Sequence, residues 1–347
     1  MDGGASCTTT LHSAGRVTRA IVARAPTRLD FGGGWTDVPP YCDREGGAVC
    51  SVAINRYATA TAATSENAAR RAGAGPRDPN ALVSAALRRA NLSSGAVATI
   101  TTDFPSGAGL GGSSACGVAL AGALAALCGE PLDLAALAAR SRATEVEELH
   151  VVGGYQDHYA AAYGGALLLT FSDRVGVERL SMSERCAAAL ARRVVLLYTG
   201  ESRLSGNTVA AVLDAYVRKE ARTCESLARM KALALAMAAA IGRDDLDALG
   251  ALTAEHWVHQ RQLHASITTA RIDAIVDVAS RSGALGVKAL GASGGGCVIA
   301  IARDGREDEL ARALEPFGER LPFTVDMDGF RIVASMDEHR DAAETAP

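Results

Sequence analysis

Early in the chain the apolar residues fall in short runs bounded by glycine, proline and polar residues, a pattern of strands rather than helices. Val17 to Ala25, Ala48 to Ile54, Tyr57 to Ala63 and Val97 to Thr102 are such runs. Between them, Thr64 to Asp78 is polar and reads as a loop, and Pro79 to Ala90 as a helix. Beyond a glycine-rich segment the spacing predicts helices over Ser113 to Leu127 and Leu132 to Leu149, then strands over Ala166 to Phe171 and Val194 to Tyr198. From Asn207 the pattern turns helical: Thr208 to Ala240, broken near Lys219, then Asp244 to His264 and Thr269 to Ser282. Strands over Val287 to Leu290 and Cys297 to Ile301, a helix over Glu307 to Leu314 and strands over Phe323 to Met327 and Phe330 to Ser335 complete the order. Such a mixture is the signature of an α+β protein.

Composition narrows this picture. A chain of 347 residues, 48% hydrophobic, can bury two medium cores. The expected division is a tail over 1–17, an N-terminal domain over 18–199 and a C-terminal domain over 200–347. A net charge of −4 gives no electrostatic footprint for nucleic acid. Eight scattered cysteines form no Cys-x-x-Cys pair and read as reduced and mostly buried. The first 17 residues hold no long apolar stretch, so neither a signal peptide nor a membrane span is expected, and a cytoplasmic enzyme is the default.

Three segments carry candidate chemistry. Pro105-Ser106-Gly107-Ala108-Gly109-Leu110-Gly111-Gly112-Ser113-Ser114-Ala115 runs directly into the first Ala- and Leu-rich helix. Glycines there allow the backbone close to a ligand, and the helix start offers unpaired N–H groups, together a cradle for a polyphosphate. A simple turn before a core helix is the competing explanation. No Gly-Lys-Ser/Thr closes the loop, so it is not a Walker A loop, and it lacks the strand-linked Gly-x-Gly-x-x-Gly order of a dinucleotide fold. In the second segment, Arg24 through Tyr41, glycines at 32 to 34 precede Trp35 and Asp37. A carboxylate at Asp37 can accept hydrogen bonds from vicinal hydroxyls, and Trp35 offers a flat surface to a sugar ring, with a Gly-Pro turn and a core tryptophan as the alternative. The third, Lys288 to Gly296, places Ser293 and Gly294 in a glycine run between strands, which could equally be a plain turn. Glu145 and Asp157 flank Gly153-Gly154-Tyr155-Gln156, two acids 12 residues apart on either side of a glycine bend.

These segments resemble the motifs of the GHMP kinases, the sugar, mevalonate and homoserine kinase superfamily. Pro105, Gly109, Leu110, Gly111, Ser113, Ser114 and Ala115 match its second motif, with Gly112 where serine is commoner. Gly-Gly-Trp-Thr-Asp at 33–37 and Tyr198-Thr199-Gly200 with Arg203 are similar to the heptose 7-phosphate kinase and fucokinase branch. The resemblance implies an α+β two-domain GHMP kinase fold, with an N-terminal ribosomal protein S5 domain 2-like unit and a C-terminal ferredoxin-like α/β unit. It implies ATP bound by residues 105 and 107–114, Mg2+ held by Ser114 and Glu145, and Asp157 as base or orienting carboxylate with Arg28 facing it. Gly34, Trp35, Asp37, Gly154, Tyr155, Ser293 and Gly294 are expected on the acceptor side, with Lys288 and Arg203 as candidate grips for a substrate anion. The acceptor is then a sugar, a sugar phosphate or a cyclitol, phosphorylated in this branch at the anomeric hydroxyl. A non-catalytic sugar sensor and a decarboxylase on the same fold are alternatives, and a homodimer is compatible with the family.

Overall fold

The structure, a computed structural model, describes residues 19–64, 80–201 and 206–337. Its frame is a long antiparallel hairpin of β1 (Arg19–Gly32) and β2 (Gly47–Thr64), paired from Ala20 opposite Ala63 to Gly32 opposite Cys50, with the short helix α1 (Tyr41–Glu45) between them. The runs expected as two strands, 48–54 and 57–63, are one: Asn55 and Arg56 bulge at a register shift opposite Pro26 and Thr27 without ending β2. After α2 (Ala81–Arg89), β3 (Ala96–Thr102) pairs with β2. The helices α3 (Gly112–Leu127), α4 (Leu134–Ala143) and α5 (Gln156–Tyr163) follow.

β4 (Ala166–Phe171) pairs with β2, and β5 (Val175–Arg179) with β4. The next elements are α6 (Glu184–Arg193), β6 (Val194–Tyr198), α7 (Gly206–Val217), α8 (Ala221–Ile241), α9 (Leu246–Gln260) and α10 (Ala270–Arg281). The chain then forms β7 (Ala284–Ala289), β8 (Cys297–Ala302), α11 (Glu307–Leu314), β9 (Glu319–Arg320) and β10 (Arg331–Asp337).

Two antiparallel sheets result. The first has the order β10-β1-β2-β4-β5 with β3 also on β2, and the second the order β7-β8-β6-β9. The alanines at 23, 25, 58, 60 and 62 make a shallow surface on the hairpin, against which α3, a helix without a charged residue, buries Ala115, Val118, Ala119 and Leu120. A second cluster joins Leu29, Phe31 and Ile54 of the hairpin to Leu233 and Met237 of α8 and to Leu196 and Ile299 of the second sheet. The sheets therefore share a core, and they do not divide at residue 199: β6 lies in the second sheet, and β10, near the end of the described chain, lies beside β1 in the first.

Two further elements differ from the sequence pattern. The helix expected over 132–149 stops at Ala143 and continues as a single π turn, Thr144–Glu148, which carries Glu145. The run 323–327 contributes one bridge, Val325 to Ile54, in place of a strand, because the Asp326 carboxylate accepts from the amides of Asp328 and Gly329 and turns the chain. Among the described residues no helix is long and apolar enough to cross a membrane.

Candidate active site

The glycine loop opens on a cleft of about 610 Å3 lined by residues of β1, β3, the start of α3 and the 151–158 segment, with Val209, Gly291 and Ala292 on its border. Gly107, Gly109 and Gly111 all take positive φ, and Gly111 is the N-cap of α3 without any side-chain cap. The amides at that helix start thus remain for a ligand, as an anion cradle requires. At Gly109 (φ 75°) the need for glycine is twofold, since a Cβ would also lie 2.8 Å from the Leu290 carbonyl oxygen. Here the two glycine-rich segments meet. The amide of Cys297 donates to the Ala108 carbonyl (2.8 Å), and the amide of Arg28 donates to the Leu110 carbonyl (3.1 Å). Residues far apart in sequence thereby fix the loop.

Arg28 joins this loop to the catalytic-acid candidate. Its Nε and Nη2 lie 2.7 and 2.6 Å from Asp157 Oδ1, and its Nη1 donates to the Gly109 carbonyl at 2.7 Å. Asp157, in the first turn of α5, keeps 28% of its side chain accessible, and a Cβ placed on Gly111 would lie 3.1 Å from its carboxyl carbon. Burial raises the Asp157 pKa, and the Arg28 guanidinium opposes that rise.

Glu145 reaches the start of α3 from the π turn. The Ser113 hydroxyl donates to its Oε1 at 2.5 Å, while Ser114 Oγ lies 3.4 Å from His158 Nε2. Ser113 thus makes the closer hydrogen bond to Glu145, and the Ser114 hydroxyl pulls on the same carboxylate more weakly. Burial pushes Glu145 up to about 7, against the pull of the Ser113 hydroxyl. His158, which the sequence pattern did not single out, is buried behind both serines, with Nδ1 2.9 Å from Ser141 Oγ and Nε2 3.5 Å from Glu145 Oε2. Its place directly after Asp157 was the available signal.

On the other wall of the cleft, Gly34, Trp35, Asp37 and Gly154 line the space, as do Asp30 and Gln156. Asp37 is buried, and its carboxylate is already engaged by the protein. It is 1% accessible, its Oδ2 accepts from the amides of Tyr155 and Gln156 at 2.9 Å each, and burial raises its pKa to about 6. Trp35 sits at φ 80° and packs with Val38 and Tyr41 while bordering the cleft.

Four of the expected substrate residues are placed otherwise. Tyr155 turns its ring under Arg142 (3.7 Å to the centroid) and beside Phe171, so only its amide serves the site, through Asp37. Lys288 has no accessible surface: its ammonium lies 3.3 Å from Asp30 Oδ2 and donates to the Phe31 carbonyl, which leaves it unable to grip a substrate anion as placed. Ser293 and Gly294 do not line the cleft, which Gly291 and Ala292 border instead. Ser293 Oγ accepts from Gln260, and the Gly294 amide donates to Ile267. Arg203 lies outside the described residues.

The chain matches the GHMP kinases N terminal domain over residues 80–165 and the GHMP kinases C terminal domain over residues 237–319. It is 27% identical to the D-glycero-alpha-D-manno-heptose 7-phosphate kinase of Campylobacter jejuni, over 85% of this chain and 93% of that one. To a galactokinase of Mycobacterium tuberculosis it is 30% identical, over 62% of this chain and 67% of the relative. The crystal structure of a D-glycero-D-manno-heptose 1-phosphate kinase from Bacteroides thetaiotaomicron superposes with a TM-score of 0.70 at 25% identity, over 91% of this chain and 99% of that one. The chain belongs to the GHMP kinase family, among its sugar and sugar-phosphate kinases, and is a phosphotransferase with the family's two-domain fold.

Proposed function

We propose that the protein transfers the γ-phosphoryl group of ATP, bound with Mg2+, to a hydroxyl of a sugar ring, the anomeric hydroxyl being the acceptor. The observation that carries this reading is the adjacency of Asp157 to Gly111: the acid that would orient an alcohol borders the loop that would hold the terminal phosphate. Residues 107–114 supply amides to the phosphates, and Leu82, Ile100, Phe104 and Val151 give the cleft an apolar lining suited to a purine.

The donor set fits a magnesium ion shared with a nucleotide. Among the described residues no group of three His, Cys, Asp or Glu side chains could hold a metal alone. Mg2+ characteristically takes one or two carboxylates and completes its shell with phosphate oxygens and water. Glu145 with the hydroxyls of Ser113 and Ser114 is such a partial set. When bound, the ion neutralises charge on the phosphates. Arg28 keeps Asp157 in place and, through the Gly109 carbonyl, ties that acid to the loop. Because the transition state of phosphoryl transfer is loose, Asp157 serves chiefly to aim the acceptor oxygen.

The test is an ADP-release assay over neutral sugars, sugar phosphates and cyclitols, with the new ester located by phosphorus NMR. The expected product is a sugar 1-phosphate. Failure of every acceptor to stimulate ADP release would refute the reading.

A further inference from the structure

Directly after β1 the residues Gly33 to Thr36 form a turn: the Thr36 amide donates to the Gly33 carbonyl at 3.0 Å, and the Thr36 hydroxyl donates to the same oxygen at 2.7 Å. Two of its residues, Gly34 and Trp35, line the cleft. Trp35 stands at the third position with φ 80°, where a type II turn ordinarily has glycine, so the turn holds a bulky side chain in a conformation that such residues resist. A backbone of this kind persists only where its surroundings fix it.

The first residue of the turn is fixed from the other end of the chain. The Gly33 amide donates to His256 Nε2 of α9 at 2.9 Å, in a buried hydrogen bond. Because Nε2 accepts, the ring is neutral and carries its proton on Nδ1. Burial, together with the nearby Lys288 ammonium, holds the His256 pKa well below its ordinary value and so preserves that state. A Cβ at Gly32 would strike Met237 Sδ and stand 3.3 Å from His256 Cδ2, which shows how closely the ring packs on the end of β1. The helix itself is anchored. A Cβ at Gly286 of β7 would meet the Gly250 carbonyl of α9, and one at Gly250 would lie 2.6 Å from Leu285 Cβ, so helix and strand pack backbone to backbone. One turn beyond His256, Gln260 Nε2 lies 3.3 and 3.4 Å from the carbonyl oxygens of Ala289 and Gly291.

We infer, resting on the kinase reading for what the cleft binds, that His256 is a positioning residue for the acceptor: through the Gly33 amide it fixes the turn that presents Gly34 and Trp35 to the cleft. His256 has no accessible surface and acts through the turn. An aliphatic side chain in its place would strand the Gly33 amide in the interior and free a strained turn to relax, which moves the acceptor wall and leaves the nucleotide loop in place.

The experiment follows amide hydrogen exchange over residues 31–38 by mass spectrometry, and measures KM for ATP and for the best acceptor among fucose, galactose and heptose 7-phosphate, all on the full chain. His256→Leu should speed exchange in that segment at least about tenfold and raise the acceptor KM about tenfold, with the ATP KM within about twofold of the unsubstituted value. His256→Gln, whose side-chain oxygen can again accept from the Gly33 amide, should restore both. Thr253→Val is the control: Thr253 is buried on the same helix and spends its hydroxyl within it, on the Leu249 carbonyl at 2.8 Å, so neither quantity should move by more than about twofold. If His256→Leu does not fold, long-range 15N correlation spectra of the unsubstituted chain read the same bond. The Nδ1-protonated tautomer is expected, and a proton on Nε2 overturns the anchor. Unchanged exchange and acceptor KM in folded His256→Leu, or ATP and acceptor KM rising together, also overturns it. Faster exchange in His256→Leu, in a protein whose ADP release no sugar, sugar phosphate or cyclitol stimulates, supports the anchor and overturns the kinase reading instead.

Discussion

The two walls of the cleft are built from different materials. On the side where we place the nucleotide, the wall is the main chain of residues 107–114, and the side chains it adds are chiefly those of Ser113 and Ser114. On the acceptor side the wall is made of buried charged and polar side chains, Asp37 on two amides and Asp30 on Lys288. A backbone site depends on which φ values a few adjacent residues can reach. A side-chain site depends on which distant residues the fold delivers to one place. The first therefore tolerates little change in glycine, and the second little change in charge.

The sharpest way to break this contrast is at the hinge between the walls. Asp157→Ala should lower kcat by on the order of 10^3-fold or more while ATP affinity stays within a few-fold, read by single-turnover kinetics and calorimetry. Turnover comparable to the unsubstituted chain would remove Asp157 from the reaction. Arg28→Ala comes next, because Arg28 serves both walls. Losing its bonds to Asp157 and to the Gly109 carbonyl should lower kcat by about 10^2-fold and also raise the ATP KM, a double effect that Asp157→Ala lacks.

On the backbone side, Gly109→Ala should raise the ATP KM at least about tenfold and cost about 1–3 kcal/mol of stability, with the acceptor KM little changed. Its Cβ would face the Leu290 carbonyl at 2.8 Å in a left-handed backbone. An unaltered ATP KM with normal stability would show that the loop's conformation is not what binds the phosphates.

This asymmetry also explains what could be read from the chain before folding. The shape of the glycine loop and the uncapped helix start behind it were legible, because Pro105 to Ala115 is one contiguous string whose glycines and following helix act locally. Asp157 and Glu145 were legible for the same reason, as acids flanking a glycine bend. The role of Ser113 was not: adjacent serines differ only in helical angle, and the fold gives Glu145 a short bond from the Ser113 hydroxyl in addition to the weaker one from Ser114. Lys288 misled because a lysine beside a glycine run carries no local sign of burial, and its partner Asp30 lies on another sheet. Arg28 and Asp30 sit two apart on β1, so strand periodicity put them on one face, and that was the signal by which Asp30 could have been found.

The charged wall makes a further prediction, about pH. Burial raises Asp37 from 3.8 to about 6, so the folded chain holds that proton more tightly than the unfolded chain does. The resulting stabilisation is present in full below about pH 4 and is lost as pH rises through 6. Across that window the unsubstituted protein should lose stability relative to Asp37→Asn, by at most about 3 kcal/mol, in urea titrations at a series of pH values. A pH-independent difference between the two proteins would mean that Asp37 is ionised throughout.

The smallest effect is expected where the two materials meet, at Ser293. Its φ of 65° is a glycine-like conformation held by a residue with a side chain. Its hydroxyl accepts from Gln260 Nε2 at 3.1 Å, a bond that fastens the second glycine segment to α9. Ser293→Gly removes about 1 kcal/mol of backbone strain and loses a hydrogen bond of about the same worth, so stability should change by less than about 1 kcal/mol. Ser293→Ala keeps the strain and loses the bond, and should be destabilised by about 1 kcal/mol relative to Ser293→Gly. Because Ser293 does not line the cleft, neither variant should move the acceptor KM by more than about twofold. A tenfold rise in acceptor KM with Ser293→Gly, at unchanged stability, would return this hydroxyl to the substrate and show that the acceptor wall extends into the second glycine segment.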